Sequence, residues 1–248
     1  MSDLKHFEEQ GYVFCQGFID AQAVSDIHDN LARVIANVVP SMPTTHVFYE
    51  DGSDSKSLKQ LQKLHEQDSF FGTLMRDSPF RKLAEDLLGE EVTCENMQYF
   101  NKPPGISKPT PAHQDGYYFK LDPPNALTMW LALEEVDAEN GCVRYVPRSH
   151  TMGMRPHGKT GTLGFSQGIT DFPTEHDSDN EIGFPAKPGD LLAHHSLTIH
   201  RAEANRSSTR SRKALGFIYY GVSAKVDENA RERYRNEVEK DLAKQDRT

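Results

Sequence analysis

The sequence lacks most of what would mark a secreted, membrane or nucleic-acid-binding protein. Its 248 residues hold one tryptophan and three cysteines. Cys15, Cys94 and Cys142 lie far apart and are odd in number, so they form neither a disulfide framework nor a cysteine metal cluster. They read as ordinary thiols of a reducing compartment. No apolar run approaches the ~18 residues of a membrane span. Residues 1–10 carry Asp3, Glu8 and Glu9 without an apolar stretch, unlike a secretory signal. Positive charge is short: 28 Lys and Arg face 37 Asp and Glu, for a net charge of −9. Phosphate backbones are bound by clustered Lys and Arg, so this balance argues against a nucleic-acid partner. Neither an internal repeat nor a Pro/Ser-rich linker is present, and one domain over 1–248 is expected. The C-terminal Asp-Arg-Thr248 is not a Ser-Lys-Leu address, so the expected location is cytoplasmic. Oligomeric state is not legible. In excess is histidine, with 11 residues.

Residues 1–90 read as a mostly helical flank. Asp20 suits the cap of a helix over 21–38, where Val24, Ile27, Leu31, Val34, Ile35 and Val38 recur at helical spacing. A short β-rich run over 11–18 precedes it. A second helical stretch is expected over 57–88, broken near Ser78-Pro79 and ended by Gly89. Over 91–221 the character changes to short β-rich runs: 92–100, 113–121, 126–133, 142–146, 190–193 and 214–220. Turn clusters such as Lys102-Pro-Pro-Gly105 and Lys187-Pro-Gly-Asp190 separate them. Many short strands with such turns predict a sandwich or barrel. Residues 152–188 read as a long aperiodic loop, and 222–248 as a charged tail.

One pair of residues carries chemistry. In a strand, positions i and i+2 share a face, so His113 and Asp115 can converge on one cation. The same spacing in His6-Phe-Glu8 fits a solvated helix face. A third ligand must come from another strand, and His200 lies downstream; His194 shares its strand parity and is the rival. Two histidines and one carboxylate with open positions form the facial triad of non-heme Fe(II) oxygenases. Beyond His200, Arg210 and Arg212 precede a β-rich run. A guanidinium there can clamp a dicarboxylate in a bidentate fork, although Arg206, Arg210, Arg212 and Lys213 also suit a solvated basic turn.

Lys102-Pro-Pro-Gly105, His113-Gln-Asp115, Trp130, Glu139-Asn-Gly-Cys142, Val146-Pro-Arg-Ser-His150, Gly189-Asp190, His200, Asn205 and Arg212-Lys-Ala214, in that order, resemble the phytanoyl-CoA dioxygenase family. The resemblance covers residues 5–221. It implies a mainly β fold with a helical flank: a double-stranded β-helix (jelly roll, cupin-like) with the N-terminal helices packed outside. It further implies Fe(II), with 2-oxoglutarate and O2 as cosubstrates. His113, Asp115 and His200 match the iron ligands, and Arg212 matches the arginine that holds the distal carboxylate of 2-oxoglutarate, with Arg210 as its alternative. Trp130 matches a cosubstrate-pocket tryptophan, and Gln98 falls where that pocket often draws a side chain. Ala202 replaces a hydroxyl common in the family that helps hold 2-oxoglutarate, so that contact is either missing or supplied by Thr128. His195 and His150 match positions surrounding the site. The expected reaction releases succinate and CO2 and hydroxylates the substrate. Asp115 implies a hydroxylase, or a desaturation or rearrangement variant, and argues against halogenation, because related halogenases lack that carboxylate.

For a small-molecule substrate the candidate contacts are Tyr117 and Phe119, alternating outward from the ligand pair, with Arg155, His157 and Lys159 of the long loop. With Arg144 and Arg148, these make a basic cluster suited to an anionic group. A cupin-like isomerase or zinc hydrolase, or a non-catalytic binder, would use the same scaffold. Neither needs the arginine clamp beside Trp130.

Overall fold

The computed structural model of the chain describes residues 3–162, 165–233 and 236. Helix α1 (Asp3–Gln10) leads into β1 (Tyr12–Cys15). Asp20 then caps α2 (Ala21–Asn37), accepting from the Ala23 N–H at 2.9 Å. This helix buries Val24, Ile27, Leu31 and Val34 of the expected stripe, whereas Ile35 is exposed and Val38 lies just past its end, one residue earlier than the spacing predicts.

The second expected helix divides. Strands β2 (Val47–Tyr49) and β3 (Leu58–Leu61) come first, followed by α3 (Leu64–Gln67), α4 (Ser69–Arg76) and α5 (Pro79–Leu88). Leu58 and Leu61 have helical spacing, but all four residues of β3 are buried between two neighbouring strands. A half-exposed helix cannot bury four consecutive residues, and tertiary pairing wins over local period.

The β-rich part comprises β4 (Val92–Lys102), β5 (Thr110–His113), α6 (Gly116–Phe119), β6 (Leu121–Asp122), β7 (Ala126–Ala132) and β8 (Val143–Tyr145). Then come β9 (His157–Thr162), β10 (Phe165–Ile169), α7 (Glu175–Asn180) and β11 (Ile182–Phe184). Last are β12 (Leu191–His195), β13 (His200–Ala202), β14 (Arg212–Gly221) and β15 (Lys225–Val226). Two expectations are corrected here. The strand predicted over 113–121 stops at His113, and 116–119 form a helical turn. The predicted loop over 152–188 is structured: β9 and β10 form a hairpin, and Thr174 and Asp177 close a capping box on α7. Of the charged tail, β15 pairs with β6, whereas 234, 235 and 237–248 lie outside the described residues.

Among the described residues, a seven-stranded antiparallel sheet runs β1-β12-β7-β14-β4-β3-β2 and a four-stranded one runs β11-β8-β13-β5. They face each other through Tyr12, Trp130 and Leu192 of the large sheet and Val143 and Tyr145 of the small one. The Tyr12 and Tyr145 rings stack at 5.2 Å. This is the jelly-roll, double-stranded β-helix arrangement.

The large sheet is buried on both faces, so strand parity sorts its side chains. Leu127, Met129 and Leu131 of β7, Leu215, Phe217 and Tyr219 of β14, and Met97 and Tyr99 of β4 pack against the helical flank. Phe217 stacks on Phe80 of α5 at 4.3 Å, and each such burial contributes roughly 1.5–3 kcal/mol. The alternate residues, Gln98, Thr128, Trp130, His194 and Arg212, look inward on a cavity. Gly216 is required at the centre of that inner face. A Cβ there would stand 2.7 Å from the Phe100 ring.

Candidate metal centre and its cavity

His113 ends β5 directly opposite His200 on β13, so one strand pairing brings the two rings within 4.1 Å. Nδ1 of His113 lies 2.8 Å from the Pro111 carbonyl, and Nδ1 of His200 lies 3.0 Å from the Thr198 carbonyl. Carbonyls only accept, so both Nδ1 atoms carry hydrogen and both Nε2 atoms present lone pairs. These face Oδ1 of Asp115 at 3.4 Å and 3.6 Å. Ligand atoms of His113, Asp115 and His200 all lie within 4.8 Å of one another, a group able to hold a metal ion.

Asp115 reaches this point differently from the sequence argument. It lies beyond the strand end, in helical conformation at φ −59° and ψ −33°, and its backbone turns into α6. Convergence comes from that turn and not from shared strand parity. Burial opposes the Asp115 charge, but the three surrounding imidazoles, His200 foremost and then His113 and His194, outweigh it and hold the carboxyl well below its usual range. Burial, aided by His113 and His194, pushes His200 well below its usual value. An ionised carboxylate beside a neutral imidazole is the donor set a divalent cation needs.

These groups line a cavity of about 320 Å³ between the sheets. Arg212 also lines it, 5 % exposed, with its guanidinium carbon 5.3 Å from the Trp130 ring centre. Its Nε has no hydrogen-bond partner, and burial lowers its pKa to about 10. A buried cation with an unanswered donor is costly in an otherwise closed interior. It is the shape of a site made for an anion, which fits a dicarboxylate cosubstrate. Arg210, the alternative, is engaged outside the cavity with Asp137 and Glu139.

Gln98 lines the cavity and accepts from Gln60 Nε2 at 2.8 Å. The Thr128 hydroxyl donates to Oδ2 of Asp115 at 2.5 Å, so it serves the triad and does not replace the hydroxyl missing at Ala202. Phe119 lines the cavity, packed on Tyr220. Tyr117 turns away to stack on His157 at 4.4 Å, with Lys120 Nζ 3.6 Å above its ring.

The loop cations require correction, because Arg155, His157 and Lys159 do not line the cavity. Arg155 is spent on Asp171 and on Asp177, whose side chain is 2 % exposed. Both His157 nitrogens are used: Nε2 accepts from the Gln114 N–H and Nδ1 donates to the Arg155 carbonyl. Lys159 sits on β9 opposite Gln167. Arg144 likewise pairs with Glu181. His150 and His195 lie outside the cavity, their rings 5.6 Å apart, with His150 Nε2 bonded to the Glu8 carbonyl.

Residues that sequence reasoning missed are Lys59, Lys102 and the aromatic and aliphatic wall of Tyr118, Ile218 and Tyr220. Burial, then the nearby Arg212 charge, pushes Lys102 well below the usual lysine value, and its Nζ donates to the Lys108 carbonyl at 2.6 Å. Its place before Pro-Pro-Gly was the available signal. Lys59 had none, since β3 reads locally as helix.

The comparisons with known proteins agree with this geometry. The family model for phytanoyl-CoA dioxygenase matches residues 7–214. A phytanoyl-CoA dioxygenase of Arabidopsis thaliana is 32% identical, the alignment covering 85% of each chain. A phytanoyl-CoA dioxygenase domain-containing protein 1 homolog of Caenorhabditis briggsae is 26% identical over 86% of this chain and 88% of its own. Among solved structures, the non-heme alpha ketoglutarate dependent carbocyclase SnoK has a TM-score of 0.72 at 23% identity, covering 91% of this chain and 86% of its own. EctD from S. alaskensis, with 2-oxoglutarate and 5-hydroxyectoine, has a TM-score of 0.74 at 19% identity, covering 90% and 77%. The structural likenesses speak to the fold. The chain belongs to the phytanoyl-CoA dioxygenase family. It is thereby an iron- and 2-oxoglutarate-dependent oxygenase, with a triad able to hold the metal.

Proposed function

We propose that the chain hydroxylates an unactivated C–H bond of a small metabolite, with His113, Asp115 and His200 as the iron ligands. Arg212 receives the distal carboxylate of 2-oxoglutarate, and succinate and CO2 leave. The observation that carries this reading is Arg212: a buried guanidinium with an unpartnered Nε, in the same cavity as the triad. A hydrolase or isomerase has no use for that group.

Iron, when bound, supplies the activation of O2 against 2-oxoglutarate. The chain's own residues orient and exclude. The Nδ1 hydrogens of His113 and His200, anchored on carbonyls, keep both Nε2 lone pairs aimed inward. Trp130 and Phe100 flank the arginine end, and Phe119, Ile218 and Tyr220 keep the wall dry. A cavity of about 320 Å³ is at the small end for ligand sites, and cosubstrate and substrate share it. That supports a small substrate, or only the reacting end of a longer one. The loop cations no longer support an anionic group. Arg231 and Lys63 at the cavity are likewise paired with Glu95, so they do not support one either.

The test is anaerobic addition of Fe(II) and 2-oxoglutarate. A weak visible charge-transfer band is expected in the native protein and absent in His200→Ala and Asp115→Ala. A native protein without the band refutes the ligand and cosubstrate assignments. A succinate-release screen over small metabolites then identifies the substrate.

A further inference from the structure

Asp115 is held at both carboxylate oxygens. Oδ1 faces His113 and His200, while Oδ2 accepts from Thr128 and stands 3.2 Å from Nε2 of His194. His194 belongs to β12 of the large sheet and is 3 % exposed. An ionised carboxylate only accepts, so Nε2 of His194 carries the hydrogen. Its Nδ1 therefore accepts from the Tyr145 hydroxyl at 2.9 Å. Tyr145 is wholly buried on β8, opposite His200. A chain of donors thus runs from the small sheet through the large one back to the carboxylate.

We propose that His194 is a positioning residue for the metal centre. It ties Oδ2 of Asp115 to the large sheet, so that only Oδ1 is presented between His113 and His200 and the cation is taken through one oxygen. Asp115 needs such a tie because its backbone has left the strand, and no ladder bond fixes its direction. His194 itself offers no lone pair to the cation, since one nitrogen carries hydrogen and the other is turned to Tyr145. The inference rests on the triad reading above, and its test separates the two.

The test is anaerobic Fe(II) titration of the full chain, with Co(II) absorption as a reporter of ligand geometry. His194→Phe keeps the ring and loses both bonds. Its Fe(II) Kd is expected to rise about 10–100-fold, the usual loss when the outer partner of a ligand is removed, with a shifted Co(II) band. His194→Gln places an amide N–H near the lost Nε2 position and is expected to recover most of the affinity and the native band. Tyr145→Phe should fall between. Should His194→Phe fold poorly, His194→Gln and Tyr145→Phe carry the comparison by themselves. Native affinity and an unchanged Co(II) band in His194→Phe, or in Tyr145→Phe if that variant must stand alone, would overturn the proposal. A loss in His194→Phe as deep as that of His113→Ala, without recovery in His194→Gln, would make His194 a ligand and also overturn it. Native affinity in His113→Ala, by contrast, refutes the triad reading.

Discussion

Arg212→Met separates the cost of the cosubstrate site from its use. In the folded chain the guanidinium is buried without an anion, and burial pushes its pKa down from the usual arginine range to about 10. That difference corresponds to about 3 kcal/mol of disfavoured charge. The sign follows from linkage. A cation whose folded pKa lies below its unfolded value costs stability fully below the folded value, and the cost fades only as pH rises above about 10. At neutral pH the whole cost is present. Methionine fills similar volume beside Trp130 without charge, so replacement removes the cost and loses part of the packing and ring contact. If about half is returned, the net gain is roughly 1–2 kcal/mol, or about 3–6 °C in Tm for a chain of this size. The assay is thermal unfolding with and without 2-oxoglutarate. The native protein should be stabilised by 2-oxoglutarate, by about 2.7 kcal/mol at a hundred times Kd. Arg212→Met should start higher and gain nothing. A variant that melts lower without ligand would refute the reasoning, because it would mean that Arg212 is already paired within the protein.

Two further outcomes are expected. Arg155→Ala leaves Asp177 buried with only Thr174 to answer its charge, and should cost about 3 kcal/mol in urea unfolding. It should leave KM unchanged for a substrate found by succinate release; a raised KM at native stability would return Arg155 to the substrate. Asp177 is also held below the usual carboxylate range, against burial, by Arg155 and Thr174, so this part of the stability is present above about pH 4 and lost as pH falls. His195 is lowered from 6.5 to about 4, by burial first and then by His150 and His194. Its unfolded form binds the proton sooner, so stability should decline as pH falls from about 6.5 to about 4, by up to about 3 kcal/mol. Unfolding free energy against pH in His195→Phe should lose that slope, and a slope identical to the native one would refute the assignment.

The triad was legible as residues and not as geometry. His113, Asp115 and His200 stood out by type, order and spacing, yet the parity argument that joined the first two fails, because Asp115 sits in a helical turn beyond β5. Motif order carried information that local period did not. The large sheet was legible where alternation met β-formers, as in β7 and β14, and illegible at β3, whose burial on both sides depends on neighbours distant in sequence. The loop cations fell outside the cavity for a related reason. Arg155, Arg144 and the acids Asp171, Asp177 and Glu181 share one stretch of chain, and composition cannot say that they neutralise one another. Lys59 and His194 acquire their surroundings only when sheets pair.

The inner face of the large sheet explains why the helical flank is present at all. Thr128, His194 and Arg212 are buried polar groups and Gln98 is half-buried, and burying them offsets stability even where each finds a partner. The same strands carry Met97, Leu127, Met129, Leu131, Leu215, Phe217 and Tyr219 on the opposite face, almost wholly buried against helices. Because side chains alternate, Gln98 stands between Met97 and Tyr99 and Thr128 between Leu127 and Met129, so stabilisation and function are interleaved in one strand. A sheet with one solvated face would have to draw its core from the inward side, where the cavity already claims the space. Covering the outer face with α2, α4 and α5 frees the inner one for chemistry, and it lets Arg212 be held without an anion in a protein that still folds.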